Sequence, residues 1–539
     1  MAIPDCPRII FNDDTCSLRL IEPPHSPAQI ENAYTYLKDT QVDWVLWCMS
    51  TGDIAYSYYS RIAENAYDLS HLTPPAEGVY GKTPERNLLL SLHQQGIDYL
   101  PLLINEFHRR DKGFFASFRM NDCHQKSDPE GFLAGKFWQE NQHMRLWDVL
   151  DGASYYNAAL DYSFKEVRDR RFGVIKEVVE RYDVDGVEID FKRNDFTFPK
   201  GTGWQRRGVL TSFYGRVRRL LDRVGKKRGR RLRLITRVPV YEKRLRECGM
   251  DVAQWLKRRL IDVLVMSDHA CDFNLEFTKY RDLAHQHGVL FYNSLEYGMR
   301  LNTSCDTWLP RYVKRPLHSA HTLDPPEQLI RRNRAYAQNS LAQGCDGIYM
   351  FNYPCALFEQ KPSQTDFGRL TRGLLGELGS QETLRGRRKE YVYWGKLPIW
   401  VETLRPAEFY QTIDFKLHDP DVGGPAPVAY LSWRQIAEVN PHASVPYEQS
   451  PWVPKGHMQV YLNERLLDEE DFRKERQPAG EIPSQFVIGE HELVTVEVDS
   501  GWLTNGANRI SFSVPTFPRN DDPYIFIYEF TVVIPGSLE

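Results

Sequence analysis

The sequence lacks the features that mark several large classes of protein. No apolar run reaches the roughly 20 residues that a membrane span needs, and the start MAIPDCPRIIFNDD has no charged segment followed by an apolar one. The nine cysteines are an odd number and include no CxxC pair, which argues against a disulfide framework and against a thiolate zinc site. We expect no membrane partner, and a cytoplasmic protein, or a secreted one if a signal peptide has been removed.

Charge of one sign is also scarce. The 68 Lys and Arg residues nearly balance the 72 Asp and Glu residues, which leaves a net charge of −4. One short basic run, KKRGRR at 226–231, is the exception. Because nucleic-acid-binding domains carry a clear basic surplus, we predict no nucleic-acid partner. No signature of a bound cofactor stands out, so we predict none.

The chain is long and apolar enough for two or three domains, with 539 residues of which 42% are hydrophobic. Short apolar runs alternate with amphipathic stretches that fit helices at 163–182, 277–288 and 327–344. The strand candidates are 8–14, 42–50, 113–122, 184–190, 232–240, 261–268, 288–298 and 345–353. This alternation predicts an α/β fold, a (β/α)8 TIM barrel over residues 1–380. A doubly wound sheet is the alternative, but no GxGxxG follows an early strand.

The pattern changes after about residue 385. The stretch RGRRKE (385–390) is typical of a solvated linker, and we place the linker at 381–390. Beyond it, short alternating strands separated by turn residues fit 457–463, 493–499, 509–514 and 524–534. Residues 391–539 are therefore predicted to form an all-β sandwich.

Two carboxylates occupy the same face of the predicted strand in RYDVDGVEIDFKR (181–193). Side chains alternate along a strand, so Glu188 and Asp190 would point into the barrel lumen, where TIM barrels place their active sites at the carboxyl ends of the strands. Burying an unpaired carboxylate is unfavourable, which indicates a function for at least one of them. The alternative is a buried ion pair with Lys192, Arg193 or an arginine of a neighbouring strand.

Polar residues also end most of the other predicted strands, and in a barrel these ends meet at one rim. The candidate substrate-binding residues are Asn12, Arg119, Asn121, Asp122, His124, Arg237, Asp268, His269, Asn352 and Tyr353. Glu296, two residues after Ser294 on the seventh strand, is a further candidate catalytic carboxylate. Carboxylates and imidazoles of this rim could bind a metal, but no HxH, HExxH or EF-hand spacing is present, so we predict no metal site.

The segment LDYSFKEVRDRRFGVIKEVVERYDVDGVEIDFKR (160–193) resembles the helix-to-strand segment of glycoside hydrolase-like TIM barrels, an uncharacterised glycosyl hydrolase-like group. In those barrels a YDVDG strand carries an acidic residue to the sugar site. RIIFNDD (8–14) and SFRMNDCH (117–124) are similar to bacterial and fungal members of the same group. The resemblance covers roughly residues 5–375. It implies a glycoside hydrolase with a carbohydrate substrate, an oligo- or polysaccharide.

One departure from the chitinase-type barrels bears on mechanism. Their strand reads DGxDxDxE with a final catalytic Glu, whereas this chain reads DGVEIDFK and has Lys192 at that position. The alternative template is the clan of retaining glycosidases, which implies Asp190 or Glu188 as acid/base and Glu296 as nucleophile, although the Asn-Glu pair of that clan is absent. Arg119, Arg237 and His269 would then bind substrate hydroxyls or an anionic substituent.

The carboxyl-terminal segments QVYLNERLLDEEDF (459–472) and VEVDSGWLTNGANRISFSV (496–514) resemble the jelly-roll accessory domains found beside glycosidase barrels. That resemblance fits the carbohydrate substrate. Two other interpretations stay open. One is a carbohydrate-binding barrel without catalysis, which Lys192 favours, and the other is a lyase or isomerase with His124 or His269 as the base.

Overall fold

The structure is a computed structural model that divides into two compact units. One unit comprises Met1–Asp268, Glu276–Tyr297 and Gly344–Gly379, and the other His269–Leu275, Gly298–Gln343 and Ser380–Glu539. The residues that the structure describes are 3–15, 18, 25–52, 54–55, 57–65, 88–123, 135–146, 158–192, 194–268, 273–295, 326–353, 372–393, 399–401, 411–422, 428–438, 458–477, 480–481, 487–488, 491–513 and 524–536.

The first unit contains a closed barrel of eight parallel strands, with one short antiparallel strand added to it. Its strands are β1 (Ile9–Asp13), β2 (Val42–Thr51), the added β3 (Ile54–Ala55), β4 (Gly113–Arg119), β5 (Gly186–Asp190), β6 (Arg233–Pro239), β7 (Val263–Ser267), β8 (Leu290–Leu295) and β9 (Gly347–Met350). The barrel closes at β1, where Ile9 pairs with Val42 of β2 on one side and with Ile348 of β9 on the other. The predicted TIM barrel and all eight predicted strands are confirmed.

Helices connect the barrel strands. Those of the first unit are α1 (Pro27–Asn32), α2 (Leu88–Gln94), α3 (Tyr99–Arg109), α4 (Lys136–Glu140), α5 (Lys165–Arg181), α6 (Arg207–Arg228), α7 (Glu242–Glu247), α8 (Val252–Lys257) and α9 (Thr278–Gln286), with 3₁₀ turns at Thr35–Leu37, Gln142–Met144 and Trp204–Arg206. In α5 the residues Val167, Val174, Ile175 and Val178 recur at helical spacing and are buried, which confirms the predicted helix. Within the described ranges, no helix is both long enough and apolar enough to cross a membrane.

The lumen of the barrel changes from apolar to polar along the strands. An apolar cluster fills part of it, made of Ile10, Trp44, Leu46, Phe115, Ile235, Val263, Val265, Tyr292, Tyr349 and Phe351. On β5 the alternation is as predicted, because Glu188 and Asp190 contact residues of other strands across the lumen while Phe191 packs on Tyr162 at a ring distance of 5.4 Å.

The second unit is a sandwich of two antiparallel sheets. Its helices are α10 (Pro326–Ala342) and α11 (Gln381–Leu384), and its strands are β10 (Lys389–Tyr393), β11 (Ile399–Val401), β12 (Gln411–Leu417), β13 (Val428–Glu438), β14 (Gln459–Leu462), β15 (Arg465–Leu467), β16 (Arg473–Gln477), β17 (Gly480–Glu481), β18 (Val487–Ile488), β19 (His491–Asp499), β20 (Gly506–Ser513) and β21 (Tyr524–Ile534), with 3₁₀ turns at Glu469–Asp471 and Ser500–Trp502. One sheet has the order β10-β21-β13-β19-β16, with β11 also on β21, the other has the order β12-β20-β14-β15, and β17 pairs with β18.

The two sheets are joined by aromatic contacts. Phe415 of β12 packs on Phe530 of β21 with ring centroids 5.1 Å apart, and Trp433 of β13 packs on Phe512 of β20 at 5.5 Å. Each pair joins one sheet to the other, as the core of a sandwich requires. The predicted β-sandwich is therefore confirmed.

The prediction of a solvated linker is wrong at its last two residues. Lys389 and Glu390 belong to β10 and are buried. The ammonium group of Lys389 donates to Asp419 at 3.1 Å, and Glu390 accepts from Arg332 at 2.9 Å. Burial of these charges is possible because each is paired with an opposite charge. The exact domain boundary stays a prediction.

Candidate active site

The carboxyl ends of five barrel strands bring charged and polar side chains together. We call this group the mouth cluster, and it comprises Asp14, Arg119, Asp190, Arg237 and Asn352. All five are buried. They lie at, or within two residues of, the carboxyl ends of β1, β4, β5, β6 and β9, so closure of the barrel brings these five polar side chains together.

Arg119 links three sides of the mouth cluster. It donates to the side-chain oxygen of Asn352 at 2.8 Å and lies 3.3 Å from Asp14. Asn352 also donates to Asp14, at 3.3 Å, and a second nitrogen of Arg119 lies 3.7 Å from Asp122. Asn352 has a φ of 49°, a left-handed conformation that costs most side chains energy and that Asn tolerates better than most. The backbone conformation thus turns the amide of Asn352 toward Arg119.

Arg237 and Asp190 form an ion pair between neighbouring strands. They are register partners on β6 and β5, and one guanidinium nitrogen lies 3.1 Å from each carboxylate oxygen. Both side chains are 0% exposed. The backbone N–H of Lys192 also donates to Asp190, at 2.9 Å, and the guanidinium stacks on the ring of Phe351 at 3.7 Å. The pairing of Asp190 with a neighbouring-strand arginine is the alternative that the sequence leaves open.

Glu188 lies two residues earlier on β5 and has no charged hydrogen-bond donor among its described contacts. It accepts from Asn12 at 3.1 Å, from the Ser117 hydroxyl at 2.5 Å and from the Tyr349 hydroxyl at 2.6 Å. Burial, and next the charge of Asp190, raise the pKa of Glu188 from 4.5 to about 7, although the bonds from Ser117 and Tyr349 act in the opposite direction. Glu188 is therefore harder to ionise than an exposed carboxyl group.

The remaining predicted residues have other surroundings. Asn121 donates to the carbonyls of Leu160 and Phe196 and accepts from the Leu160 N–H, so its side-chain amide joins two backbone segments. Asp268 is buried at the end of β7, and Tyr353 is buried with no hydrogen-bond partner for its hydroxyl in the described part of the chain. His124, His269 and Glu296 lie outside the described residues.

Three residues of the site are not predicted from the sequence. Ser117 and Tyr349 donate to Glu188, and Phe351 lies under Arg237. Each occupies a lumen-facing position two residues from another member of the site, Ser117 before Arg119 and Tyr349 before Phe351. Applying the alternation of β-strands to the middle of each strand, and not only to its end, would have found them.

The site thus holds two carboxylates of one strand in different environments. Asp190 contacts a guanidinium, whereas Glu188 contacts neutral donors and has a raised pKa. Environments that separate two carboxyl groups in this way let one act as an acid while another stays ionised. Among the described residues, no three His, Cys, Asp or Glu side chains come together as a metal site requires.

Comparisons with known proteins find likeness to solved structures. No family model and no curated protein matches the chain. Similar structures include a family 18 N-acetylglucosaminidase from Paenibacillus barengoltzii (13% identity, TM-score 0.33, 68% of this chain and 99% of that chain). An α-L-fucosidase from Vibrio sp. strain EJY3 (9%, 0.37, 98% and 97%) and a family 18 chitinase from Chromobacterium violaceum (11%, 0.36, 95% and 90%) are also similar.

Proposed function

We propose that the protein is a glycoside hydrolase that binds an oligo- or polysaccharide at the carboxyl-terminal mouth of the barrel. The observation that carries the proposal is the buried carboxylate of Asp190 at the mouth, which is ion-paired with Arg237 and lies two residues after a second buried carboxylate, Glu188. Glycosidases need one carboxyl that holds a proton for the departing oxygen and one that is ionised near the oxocarbenium-like centre.

In this proposal Asp190 acts in its ionised form. Arg237 lies 3.1 Å from both carboxylate oxygens of Asp190, and we assign this ion-paired carboxylate the role of nucleophile or charge stabiliser. This differs from the role that the family resemblance implies for it. Glu296, the residue after Leu295 in the sequence, then becomes the partner that donates the proton. A retaining mechanism would require the two carboxyl groups to lie about 5–5.5 Å apart.

Glu188 supports Asp190 from one layer deeper in the lumen. Its charge and that of Asp190 interact, as the raised pKa indicates. When Glu188 is protonated, less negative charge surrounds the pair of Arg237 and Asp190, and when it ionises the site becomes more negative. We therefore expect the activity to depend on pH near 7 through Glu188.

The contacts of the two arginines favour a neutral sugar. Arg119 already contacts Asp14 and Arg237 already contacts Asp190, so neither is an uncompensated cation that would attract a uronate or a sulfate. Acidic aspartate and amide oxygens of the cluster are suited to accept hydrogen bonds from sugar hydroxyls.

A second candidate function is a carbohydrate-binding barrel without catalysis. Lys192 occupies the position of the chitinase-type acid, and its ammonium group lies 3.8 Å from Asp195. The charge of Asp190 is balanced by Arg237, which a purely structural role also explains. The two candidates differ in one measurable respect, the release of new reducing ends.

The test incubates the full chain with a panel of neutral, uronate-containing and sulfated glycans. Reducing ends are quantified, and their initial anomeric form is read by NMR. The variants are Asp190→Asn and Glu296→Gln. Glu106→Gln is the matched control, because Glu106 is a buried carboxylate of α3 that pairs with Arg109 and with the following Arg110, outside the mouth cluster. Denaturation curves check that each variant is folded.

Release by the wild type and by Glu106→Gln, with at least a hundredfold loss in both other variants, is the expected result, since catalytic carboxylates contribute factors of this order. Undiminished release by folded Asp190→Asn would contradict the role of Asp190. No release of any glycan, together with saturable sugar binding by calorimetry, would favour the binding barrel.

A further inference from the structure

A cleft opens at the amino ends of β6, β7 and β8, at the end of the barrel opposite the mouth cluster. Its volume is about 490 Å³, and small-molecule sites commonly measure roughly 300–1,000 Å³. Residues just before β7 and β8 line it, among them Ile261 and Val289, together with side chains of α6 and residues after α8. We call it the foot cleft.

Positive charge dominates the lining of the foot cleft. Five arginines and two aspartates line it, which leaves a surplus of three positive charges on a chain whose net charge is −4. The arginines are Arg218, Arg231, Arg233, Arg258 and Arg259. The aspartates are Asp222 and Asp262. The surplus is therefore local and is not a property of the whole surface.

Two of the arginines are not neutralised by the fold. Arg218 and Arg231 both donate to Asp262, at 2.8 and 2.9 Å, and Arg233 pairs with Asp5. In contrast, the side chains of Arg258 and Arg259 are exposed and form no hydrogen bond or ion pair with the described part of the chain. These two cations are available to a ligand.

Only part of the basic run KKRGRR (226–231) lines the foot cleft. Arg228 donates to the carbonyls of Val179 and Tyr182, at 2.7 and 2.8 Å, and Arg230 donates to Asp183 at 2.8 Å. These contacts hold the connection between α5 and β5. Arg231 alone of the run turns to the foot cleft. The cleft is thus assembled from separate segments of the chain.

Arg259 adopts a conformation that favours glycine. Its φ is 52°, at the left-handed position that follows α8. After α6 and after α9 the equivalent left-handed positions carry Gly229 and Gly288, each with a φ of 68°. A residue other than glycine is strained in this backbone conformation. Residues that keep such strain are concentrated at functional positions. The sequence keeps an arginine where the backbone favours glycine.

The attraction of a helix carboxyl end for cations does not account for this. That effect favours cations in the last turn and at the cap of α8, such as Lys257 and Arg258, but Arg259 lies beyond the cap. It also requires no residue in the left-handed conformation. The paired occurrence of Arg258 and Arg259 beside a concave surface needs a different cause.

We propose that the foot cleft binds a small molecule that carries at least two phosphate or sulfate groups. Guanidinium groups bind such oxyanions through parallel, charge-assisted hydrogen bonds. Arg258 and Arg259 supply the uncompensated charge, and Arg231 supplies a third guanidinium on the same cleft. The concave shape and limited volume favour a small ligand over a nucleic acid, which would need an extended basic surface. This site is independent of the glycosidase proposal.

The test is isothermal titration calorimetry of the full chain with pyrophosphate, orthophosphate, sulfate and a DNA duplex at constant ionic strength. The variants are Arg258→Gln, Arg259→Gly and the double change. Arg223→Gln is the matched control, because Arg223 is an exposed arginine of α6 that pairs with Glu180 and does not line the cleft.

We expect saturable 1:1 binding of pyrophosphate, with a Kd of about 1 mM or tighter and at least about tenfold weaker binding of orthophosphate. Arg259→Gly should weaken pyrophosphate binding at least about tenfold while raising Tm by about 1–2 °C, because glycine relieves the strain. Arg223→Gln should change neither. A loss of affinity together with a gain in Tm would distinguish a role of Arg259 in ligand binding from a role in stability.

Absence of saturable pyrophosphate binding to the wild type would overturn the proposal. Equal loss of affinity in Arg223→Gln and Arg259→Gly would also overturn it, since that would indicate a general charge effect. Binding of the DNA duplex that depends on Arg258 and Arg259, without pyrophosphate binding, would replace the small-ligand site with a polyanion surface.

Discussion

The two ends of the barrel both carry buried arginine–aspartate pairs, Arg237 with Asp190 at the mouth and Arg218 with Asp262 at the foot, but the foot adds an arginine that stays largely exposed in its pair. At the mouth, Arg237 and Asp190 are both 0% exposed. At the foot, Arg231 is 59% exposed and holds Asp262. Removing two charges from water costs several kcal/mol per ion, and only close pairing offsets that cost. An exposed pair costs little to form and contributes little.

The difference explains why the two ends suit different tasks. Buried charges at the mouth must be paired, so their number and positions are fixed by the fold, as a preorganised catalytic site requires. The foot is in contact with water and tolerates cations without a partner. Arg258 and Arg259 show this directly. We therefore predict that the same substitution has very different effects at the two ends.

The largest effect is expected from Arg237→Met. It removes the guanidinium that faces the buried carboxylate of Asp190, which should lower the free energy of unfolding by about 3–5 kcal/mol. Urea denaturation at pH 7 measures it. The double variant Arg237→Met with Asp190→Leu removes both charges and should recover most of the loss. A loss below about 1 kcal/mol in the single variant would show that water or another cation reaches Asp190.

The next largest effect is a dependence of stability on pH that arises from Glu188. Its folded pKa of about 7 lies above the ordinary value of 4.5, so between these values the folded state keeps a proton that the unfolded state releases. Stability should therefore fall as pH rises from about 4.5 to 7, by on the order of 3 kcal/mol, and then stay level. Denaturation curves across this range should show a smaller fall for Glu188→Gln.

Tyr349→Phe provides a second test of whether Glu188 causes this pH dependence. The hydroxyl of Tyr349 donates to Glu188 and lowers its pKa, so its removal should move the upper end of the pH window to higher values. An unchanged window in Tyr349→Phe, or an unchanged fall in Glu188→Gln, would assign the pH dependence to another group.

The sequence predicts the fold well, and also the side of the strand on which Glu188 and Asp190 lie, because both follow from local patterns. The eight strands and the lumen side of Glu188 depend only on alternation along short segments. The partners of these side chains do not. Asp190 and Arg237 are 47 residues apart, and Tyr349 is 161 residues from Glu188. Only closure of the barrel brings them together.

The predicted linker fails for the same reason. RGRRKE is charged, and charged segments are usually exposed. Lys389 and Glu390 are nevertheless buried, because their partners Asp419 and Arg332 come from 30 and 58 residues away. The composition of a segment indicates that burying its charges would be unfavourable. It does not show whether a residue far away in the sequence pairs with them and offsets that cost.

The smallest effect is expected at the foot cleft, where two arginines of different exposure pair with the same carboxylate, Asp262. It accepts from Arg218, which is 8% exposed, and from Arg231, which is 59% exposed. Arg218 also donates to the Leu232 carbonyl at 2.7 Å, so Arg218→Gln should cost about 2–3 kcal/mol. Arg231→Gln should cost less than about 1 kcal/mol, because water replaces the exposed guanidinium. Urea denaturation of both variants compares two arginines on one carboxylate. Equal losses would mean that exposure does not decide the contribution of a pair, and the contrast between mouth and foot would then need another cause.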